Sequence, residues 1–159
     1  VVLACGGFPH DVERRKKMFP HAPTGNEHFS PGPTGNTGDG LRLAESAGGH
    51  VENRLPNAAA WVPVSLTTRK DGSKGVMPHF IDRAKPGVIA VMRDGKRFAN
   101  EGNSYHDFVQ AMIKAAKPGE EIAAYLRLRS PDTSQIRPRL RAAVPDAAGA
   151  SPRYRLPHA

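Results

Sequence analysis

The stretch of sequence that decides the fold runs from residue 86 to residue 101 and reads PGVIAVMRDGKRFANE. Residues 87–92 form a short apolar run of the kind that makes a buried strand. The polar residues 93–96, Arg-Asp-Gly-Lys, predict a tight turn, and residues 97–99 are then expected to return as a second strand. The segment therefore predicts a β-hairpin.

Helices are predicted on both sides of this hairpin. Residues 105–116 carry apolar side chains at helical spacing, with Asp107 in the first turn and a stop at Pro118-Gly119. Residues 41–47 predict a short helix that ends at a pair of glycines, and Thr37 or Asp39 is expected to cap it. Farther upstream, Asp11 is placed to cap a polar helix over residues 12–19. The sequence thus combines helices with strands.

Two glycine-rich turns stand out near the beginning of the chain. Residues 1–4 predict a buried strand that ends at Cys5-Gly6-Gly7, where the backbone can approach a phosphate or cofactor closely. Residues 37–40, Thr-Gly-Asp-Gly, lead into a helix whose free N–H groups could face an anion or an electron-rich ring. Ordinary turn and capping roles explain both segments equally well from the residues alone.

Composition limits the classes of protein to consider. The chain has 159 residues, 38% of them hydrophobic, which suits one modest domain or part of one. No apolar run reaches the roughly 18 residues of a membrane span, and residues 1–5 do not resemble a signal peptide. A single cysteine gives no internal disulfide and no zinc signature, so we expect no metal and a reducing, cytoplasmic location. A change in composition at Pro56 predicts a domain boundary near residue 55.

The net charge of +8 is concentrated at one end of the chain. Residues 127–159 contain seven Arg and two Asp, and they have no Lys or Glu. Because this segment has a single aromatic residue, Tyr154, it offers no platform for stacking bases. The charge therefore does not make nucleic acid the expected partner, although a basic binding module that contacts nucleic acid through this tail stays open as an alternative.

Three motifs in a fixed order resemble a known family. They are Val-Leu-Ala-x-Gly-Gly-Phe at 2–8, Thr-Gly-Asp-Gly-Leu at 37–41, and the pair Pro-Gly-Val-Ile-Ala-Val and Gly-Lys-Arg-Phe-Ala-Asn-Glu within 86–101. Residues 1 to about 126 are similar to the FAD-dependent flavoproteins that include fumarate reductases, succinate dehydrogenase flavoprotein subunits and 3-ketosteroid dehydrogenases. The resemblance covers the middle of a longer type of protein.

The resemblance implies an α/β fold with FAD as the cofactor. Residues 1–55 would form part of a Rossmann-like FAD-binding βαβ domain, and residues 56–126 would form part of an inserted α+β substrate-covering domain. FAD contacts are implied at two turns: Ala4, Cys5, Gly6, Gly7, Thr37, Gly38 and Asp39. Cys5 stands where Thr is common, so its own hydrogen bond to the cofactor is in doubt while the turn is not.

The resemblance also implies a reaction and two catalytic residues. Members transfer a hydride between flavin N5 and one carbon of an activated C–C bond of a small-molecule substrate, and a protein group exchanges a proton at the adjacent carbon. Arg83 matches the acid of fumarate reductases, and Tyr105 matches the base of ketosteroid dehydrogenases. Tyr105 is preferred, with Arg83 as the cation that helps a phenol to act near neutral pH. On the residues alone, a surface cation and a packed aromatic explain the two better than catalytic roles do.

Two features depart from the family pattern. The Gly-x-Gly-x-x-Gly turn that binds the FAD pyrophosphate is missing, so the chain on its own is expected to be inactive or to bind FAD weakly. Residues 127–159 lose the resemblance, and their Arg, Pro and Ala bias is typical of a GC-rich gene read out of frame. Five prolines and no regular hydrophobic period predict that this basic tail is disordered. An inactive truncated gene product is therefore a further alternative.

Overall fold

A computed structural model describes residues 1–128 and 136–141 of the chain. Its helices are α1 (Val12–Met18), α2 (Asp39–Ser46) and α3 (Tyr105–Ala115), with a 3-10 turn at Asp82–Ala84. Its strands are β1 (Val64–Thr68), β2 (Lys74–Pro78), β3 (Val88–Val91), β4 (Ala123–Leu128) and β5 (Ile136–Arg141). The described residues therefore mix helices with strands, as predicted.

The five strands form one sheet in the order β2-β1-β5-β4-β3. Each pair of neighbours is antiparallel: β1 pairs with β2 from Val64 opposite Pro78, and β3 pairs with β4 from Val88 opposite Leu128. A turn closes the β1–β2 hairpin, and there Gly72 takes a positive φ of 81° that most side chains avoid. The parallel strands of a βαβ unit are not found within the described ranges.

The hairpin predicted at residues 86–101 is confirmed in part. The first strand forms as β3, and the turn closes with the Met92 N–H donating to the Lys96 carbonyl at 2.9 Å. The return strand is reduced to one bridge, Val91 opposite Arg97. The Glu101 carboxylate accepts the Ala90 N–H at 2.7 Å on this edge of β3, so a side chain replaces the backbone partner that a full strand would supply.

Capping decides where the helices begin. The Asp11 side chain accepts from the Arg14 N–H at the start of α1, as predicted, and Ser104 does the same for the Asp107 N–H at the start of α3. The predicted cap of α2 is wrong. Gly38 occupies the N-cap position with a φ of 84° and no side-chain cap, because Asp39 already belongs to the first turn of the helix.

The core lies between α3 and the sheet. Phe108, Val109 and Met112 on one face of α3 pack with Trp61 and with small residues of β3 and β4. Truncation of a buried Phe such as Phe108 typically costs about 3–5 kcal/mol. Phe19 and Ala22 enter the same core, so residues that precede the predicted boundary near 55 pack with residues that follow it. The boundary stays a prediction.

The strand predicted over residues 1–4 is wrong for this structure. No strand is present there, and Val1, Val2 and Leu3 are exposed. A four-residue strand needs a neighbour for its N–H and C=O groups, because local propensity alone does not hold extended backbone in place. Within the described ranges no other strand pairs with this segment.

The prediction that residues 127–159 are disordered is also wrong where the structure describes them. Residues 127–128 belong to β4, and β5 lies between β1 and β4. Pro138 sits where the β4–β5 register shifts, between the pairs Tyr125–Arg139 and Arg127–Ile136, and an irregularity is where a strand accepts proline. Residues 129–135 and 142–159 lie outside the described residues.

Candidate active site

Arg83 is the most deeply buried cation of the predicted site. It lies in the 3-10 turn with 2% of its surface exposed, and its guanidinium carbon is 5.1 Å from the centre of the Phe108 ring. One terminal nitrogen donates to the Phe80 carbonyl at 2.8 Å, and the other donates to the Asn103 carbonyl. Its Nε has no hydrogen-bond partner among the described residues. Burial lowers the pKa of this guanidinium, and neighbouring Asp82 partly offsets that effect.

Tyr105, in contrast, reaches the surface. It is the first residue of α3 and is 37% exposed, with its ring packed edge-on against the Phe80 ring at 5.4 Å between centres. Phe80 therefore touches both predicted catalytic residues, through its ring for Tyr105 and its carbonyl for Arg83. No hydrogen bond joins Tyr105 to Arg83 directly in the described part of the chain. The structure brings the two residues into one neighbourhood with different accessibility.

The loop that contacts Tyr105 through Phe80 carries two exposed apolar side chains. Phe80 and Ile81 expose 48% and 80% of their surface. A cavity of about 580 Å³ lies elsewhere, between the 92–98 turn and the end of α3, and none of the predicted site residues lines it. We place the candidate site at the exposed Tyr105 and Phe80 surface, because a group that exchanges protons with a substrate must be within its reach.

Three side chains next to this surface form a hydrogen-bond chain that the sequence did not predict. The ring of His79 lies 2.8 Å from Ser65 Oγ through Nε2 and 2.5 Å from Asp82 Oδ2 through Nδ1. His79 is 3% exposed, so its ring is buried. The three residues are 14 and 3 positions apart and match no known spacing, which is why pattern reading missed them.

Glu101 anchors the motif that decides the fold. It is buried, and its carboxylate accepts the Ala90 N–H. Arg97 donates to both carboxylate oxygens, with its nitrogens 3.1 and 2.5 Å away. Burial by itself would raise the pKa of Glu101, but the hydrogen bonds from Arg97 and Ala90 outweigh it and keep that pKa below its usual value. The carboxylate therefore has a structural role, four residues before Tyr105.

The residues implied to contact FAD come together as two adjoining turns. The Gly38 N–H donates to the Gly7 carbonyl at 3.1 Å, and both Gly6 and Gly38 have positive φ. A side chain at Gly6 would start 2.7 Å from Asn36 Oδ1, and one at Gly38 would start 3.2 Å from Phe8 Cβ. Contacts within the chain therefore require glycine at both positions, with residues 1–7 exposed and Gly38 buried.

Thr37 and Asp39 lie at the start of α2, where Arg42 binds them. Arg42 donates to the Thr37 carbonyl at 2.6 Å and to its hydroxyl at 3.2 Å, and it also pairs with the Asp39 carboxylate. Cys5 is exposed, and its Cβ lies 3.6 Å from where a side chain at Gly40 would begin. Six of the seven predicted cofactor residues are at least partly exposed, and Gly38 is buried against Phe8. We call this region the glycine surface (residues 4–7 and 37–39).

A buried histidine, His21, and a partly buried one, His28, lie together beside Trp61. His21 and His28 are 3.4 Å apart through Nε2 and Nδ1 and pack against Phe19 and Trp61. Burial lowers the pKa of His21 to about 4 and, with the charges of His21, Arg15 and His10, lowers that of His28 to about 3. Trp61 is accordingly a core residue.

Comparison with known proteins identifies the family. The model of the FAD binding domain family matches residues 1–155, and the chain belongs to that family. The match extends through residue 155 and so includes most of residues 127–159, for which the sequence motifs predict no resemblance. The prediction of FAD as the cofactor is confirmed by this membership.

Several curated proteins are similar over much of the chain. The chain is 43% identical to 4-oxocyclohex-2-ene-1-carboxylate 5-dehydrogenase of Sinomonas cyclohexanicum over 121 residues, which is 76% of the chain and 20% of that protein. It is 36% identical to 3-oxosteroid 1-dehydrogenase of Mycobacterium tuberculosis over 79% of the chain and 22% of the relative. It is 37% identical to fumarate reductase (cytochrome) of Shewanella frigidimarina over 64% of the chain and 16% of the relative. The chain thus spans about a fifth of the length of these relatives.

No solved structure matches the chain significantly. Among the residues that the structure describes, no helix is long and apolar enough to cross a membrane. Nor do these residues bring three or more metal-binding side chains together.

The glycine surface fits a cofactor that approaches backbone. Gly6 is exposed and Gly38 is buried, and a Cβ at either position would crowd Asn36 or Phe8. The first turn of α2 leaves backbone N–H groups without helical partners. Such a surface suits the hydrogen-bonding edge and phosphates of FAD, since exposed N–H groups bind electron-rich atoms. The residues that would hold FAD are therefore those of the glycine surface.

Proposed function

We propose that the chain supplies the substrate-side acid–base machinery and part of the FAD site of a dehydrogenase that acts on a cyclic ketone. The observation that carries this proposal is the pairing of an exposed Tyr105 with an exposed apolar neighbour, Phe80, next to a buried Arg83. The names of two relatives, which act on an oxocyclohexene carboxylate and an oxosteroid, support a cyclic ketone as the substrate class.

Tyr105 is the proposed proton-transfer residue. In dehydrogenation the substrate loses a proton from one carbon to the phenolate oxygen of Tyr105, which becomes a phenol. It loses a hydride from the neighbouring carbon, and a C=C bond forms between the two carbons. FAD, when bound, supplies the hydride acceptor for this chemistry. Tyr105 begins α3, so the positive end of the helix dipole lies where a phenolate would form. The buried charge of Arg83, which binds the carbonyl two residues earlier, adds to this positive potential.

Arg83 is the proposed positioning residue rather than the acid. Its two terminal nitrogens are occupied by the Phe80 and Asn103 carbonyls, and 2% of its surface is exposed. A guanidinium held in this way has no free face for a substrate, and it ties the 80–83 loop to the segment that leads into Tyr105. This arrangement favours the tyrosine-based chemistry of ketosteroid dehydrogenases over the arginine-based chemistry of fumarate reductases.

Phe80 and Ile81 are the proposed contacts for the ring of the substrate. A cyclohexane or steroid ring loses contact with water on such a surface, and burial of apolar area stabilises binding by about 25 cal/mol per Å². A dicarboxylate gains little from the same surface and needs accessible cations, which Arg83 does not offer. The predicted division into an FAD part (residues 1–55) and a substrate-covering part (residues 56–126) belongs to this proposal.

Anaerobic flavin reduction tests the proposed substrate class. The FAD-loaded holoenzyme, meaning the full-length protein that includes this chain, is mixed with 4-oxocyclohexanecarboxylate, a 3-oxosteroid or succinate, and the loss of flavin absorbance is followed. We expect a cyclic ketone to reduce the flavin and succinate to leave it oxidised. Reduction by succinate alone, or rapid reoxidation of reduced flavin by fumarate without any reaction with a ketone, would contradict the proposal.

A further inference from the structure

A four-residue loop, residues 79–82, presents the proposed ring-binding surface. It connects the end of β2 to the 3-10 turn, and its two middle residues, Phe80 and Ile81, expose their side chains. Its two end residues are joined by the hydrogen bond between His79 Nδ1 and Asp82 Oδ2 at 2.5 Å. The loop is therefore closed at its base by side chains, with the substrate-facing residues at its tip.

His79 is held to the sheet at two further points. Its backbone N–H donates to the Pro63 carbonyl at 2.9 Å, just before β1, and its Nε2 lies 2.8 Å from Ser65 Oγ in β1. Both His79 and Ser65 are buried, whereas the Asp82 side chain is 40% exposed. The imidazole thus links the rigid interior of the sheet to a carboxylate at the base of the loop.

The order Ser65, His79, Asp82 matches the hydrogen-bond sequence of a hydrolytic triad, but its placement excludes that use. A nucleophilic serine must meet its substrate, and Ser65 is 4% exposed beneath the loop. Arg83, in contrast, follows Asp82 directly and donates to the Phe80 carbonyl. The hydrogen bonds from Ser65 through His79 therefore end at Asp82, in the loop that carries Phe80. This placement indicates that they hold the loop in position.

We propose that His79 and Asp82 are positioning residues that keep the 79–82 loop closed, so that Phe80 stays against Tyr105 and receives the ring of the substrate. The inference rests on the proposed function, because it assumes that Phe80 contacts a cyclic ketone. Tyr105 has its own support in the Ser104 cap of α3. Loss of the His79–Asp82 link therefore weakens substrate binding more than it slows proton transfer, which distinguishes it from loss of Tyr105.

Steady-state kinetics of the FAD-loaded holoenzyme with 4-oxocyclohexanecarboxylate test this role. Asp82→Ala should raise KM about tenfold, the effect of losing one charge-assisted hydrogen bond, while kcat stays within about threefold of wild type. Asp82→Asn keeps an oxygen that accepts from His79 Nδ1–H, so it should return KM to within about threefold of wild type. His79→Leu should resemble Asp82→Ala, provided that it folds.

The matched control is Asp71→Ala, which removes an exposed carboxylate from the β1–β2 turn and should leave KM unchanged. An unchanged KM in Asp82→Ala overturns the inference, and so does a folded Asp82→Asn that fails to restore it. If Tyr105→Phe still abolishes turnover in that case, the proposed function stands without the inference. If the wild-type holoenzyme turns over fumarate or succinate and no cyclic ketone, the proposed function fails and the inference fails with it.

Discussion

The glycine surface and the core around Phe108, Trp61 and Arg83 differ in how their geometry is held. On the glycine surface, bare backbone at Gly6 and Gly38 is fixed by a few local hydrogen bonds. In the core, Phe108, Trp61 and Arg83 are held by packing and by buried polar contacts across distant parts of the sequence. In the proposed function, FAD contact in the first region depends on an absence of side chains, whereas proton transfer in the second depends on the surroundings of particular side chains.

Acid should have the largest effect, because it acts on the histidines buried in the core. His21 is neutral in the folded state with a pKa of about 4, against about 6.5 when unfolded, so the unfolded state takes up a proton first as the pH falls. Stability linked to His21 is therefore fully present above about pH 6.5 and is lost between about pH 6.5 and pH 4, by about 3 kcal/mol. His28 extends the loss toward about pH 3.

Urea unfolding of the holoenzyme at about pH 7 and about pH 4.5 measures this loss. His21→Phe should reduce the difference between the two midpoints, because it removes the titration and keeps an aromatic ring against Trp61. His50→Phe, at an exposed position, is the matched control. Equal acid sensitivity in His21→Phe and wild type would show that His21 does not couple the core to pH.

Removal of the Glu101 carboxylate should have the next largest effect. Glu101→Ala leaves the Ala90 N–H buried without an acceptor and costs about 1–3 kcal/mol of unfolding free energy. Glu101→Gln keeps one acceptor oxygen and should cost less. Chemical denaturation measures both, with Arg97→Ala as the exposed-partner control. If Glu101→Ala is as stable as wild type, the carboxylate does not hold the edge of β3.

Gly38→Ala tests the glycine surface. It forces an alanine into φ +84° and places a Cβ 3.2 Å from Phe8 Cβ, which costs about 1–2 kcal/mol and should weaken FAD binding roughly tenfold. Gly48→Ala has the same φ with open space around its Cβ, so it matches the strain without the crowding. FAD dissociation constants measured by flavin fluorescence compare the two. Equal constants would show that residue 38 lies away from the cofactor.

Cys5→Thr should have the smallest effect. The exposed thiol donates hydrogen bonds weakly, whereas a threonine hydroxyl can donate to a cofactor atom. We expect FAD to bind up to about threefold more tightly and turnover to stay unchanged, as measured by the same titration. Loss of FAD on this conservative change would contradict the proposed contact.

Local features of the fold were predictable from the sequence, and long-range ones were not. The Asp11 cap, the 93–96 turn and α3 follow from capping, turn chemistry and helical period. The pairing of β3 with β4, and the replacement of a return strand by Glu101, depend on contacts that no local pattern records. Extended backbone needs a hydrogen-bonded neighbour. Residues 1–4 have no such neighbour and form no strand, whereas β5 pairs with β1 and β4.

The candidate site was predictable to a similar extent. Resemblance to a family drew attention to Arg83, Tyr105 and the glycine surface, and the structure gathers each group in one place. The resemblance did not reveal that Arg83 is buried and bound to the Phe80 and Asn103 carbonyls. Nor did it reveal that His79 links Ser65 to Asp82. Those facts depend on tertiary packing around residues whose types carry no distinctive spacing.

The most direct test of the central claim compares the rate of flavin reduction by 4-oxocyclohexanecarboxylate in Tyr105→Phe and Arg83→Lys holoenzymes. Tyr105→Phe should lower the rate by about 10²–10⁴-fold with FAD fully bound, because it removes the group that takes the proton. Arg83→Lys keeps a cation but loses one of two carbonyl contacts, so it should lower the rate far less. A fast Tyr105→Phe enzyme beside a fully inactive, folded Arg83→Lys enzyme would contradict the account and assign the proton to Arg83.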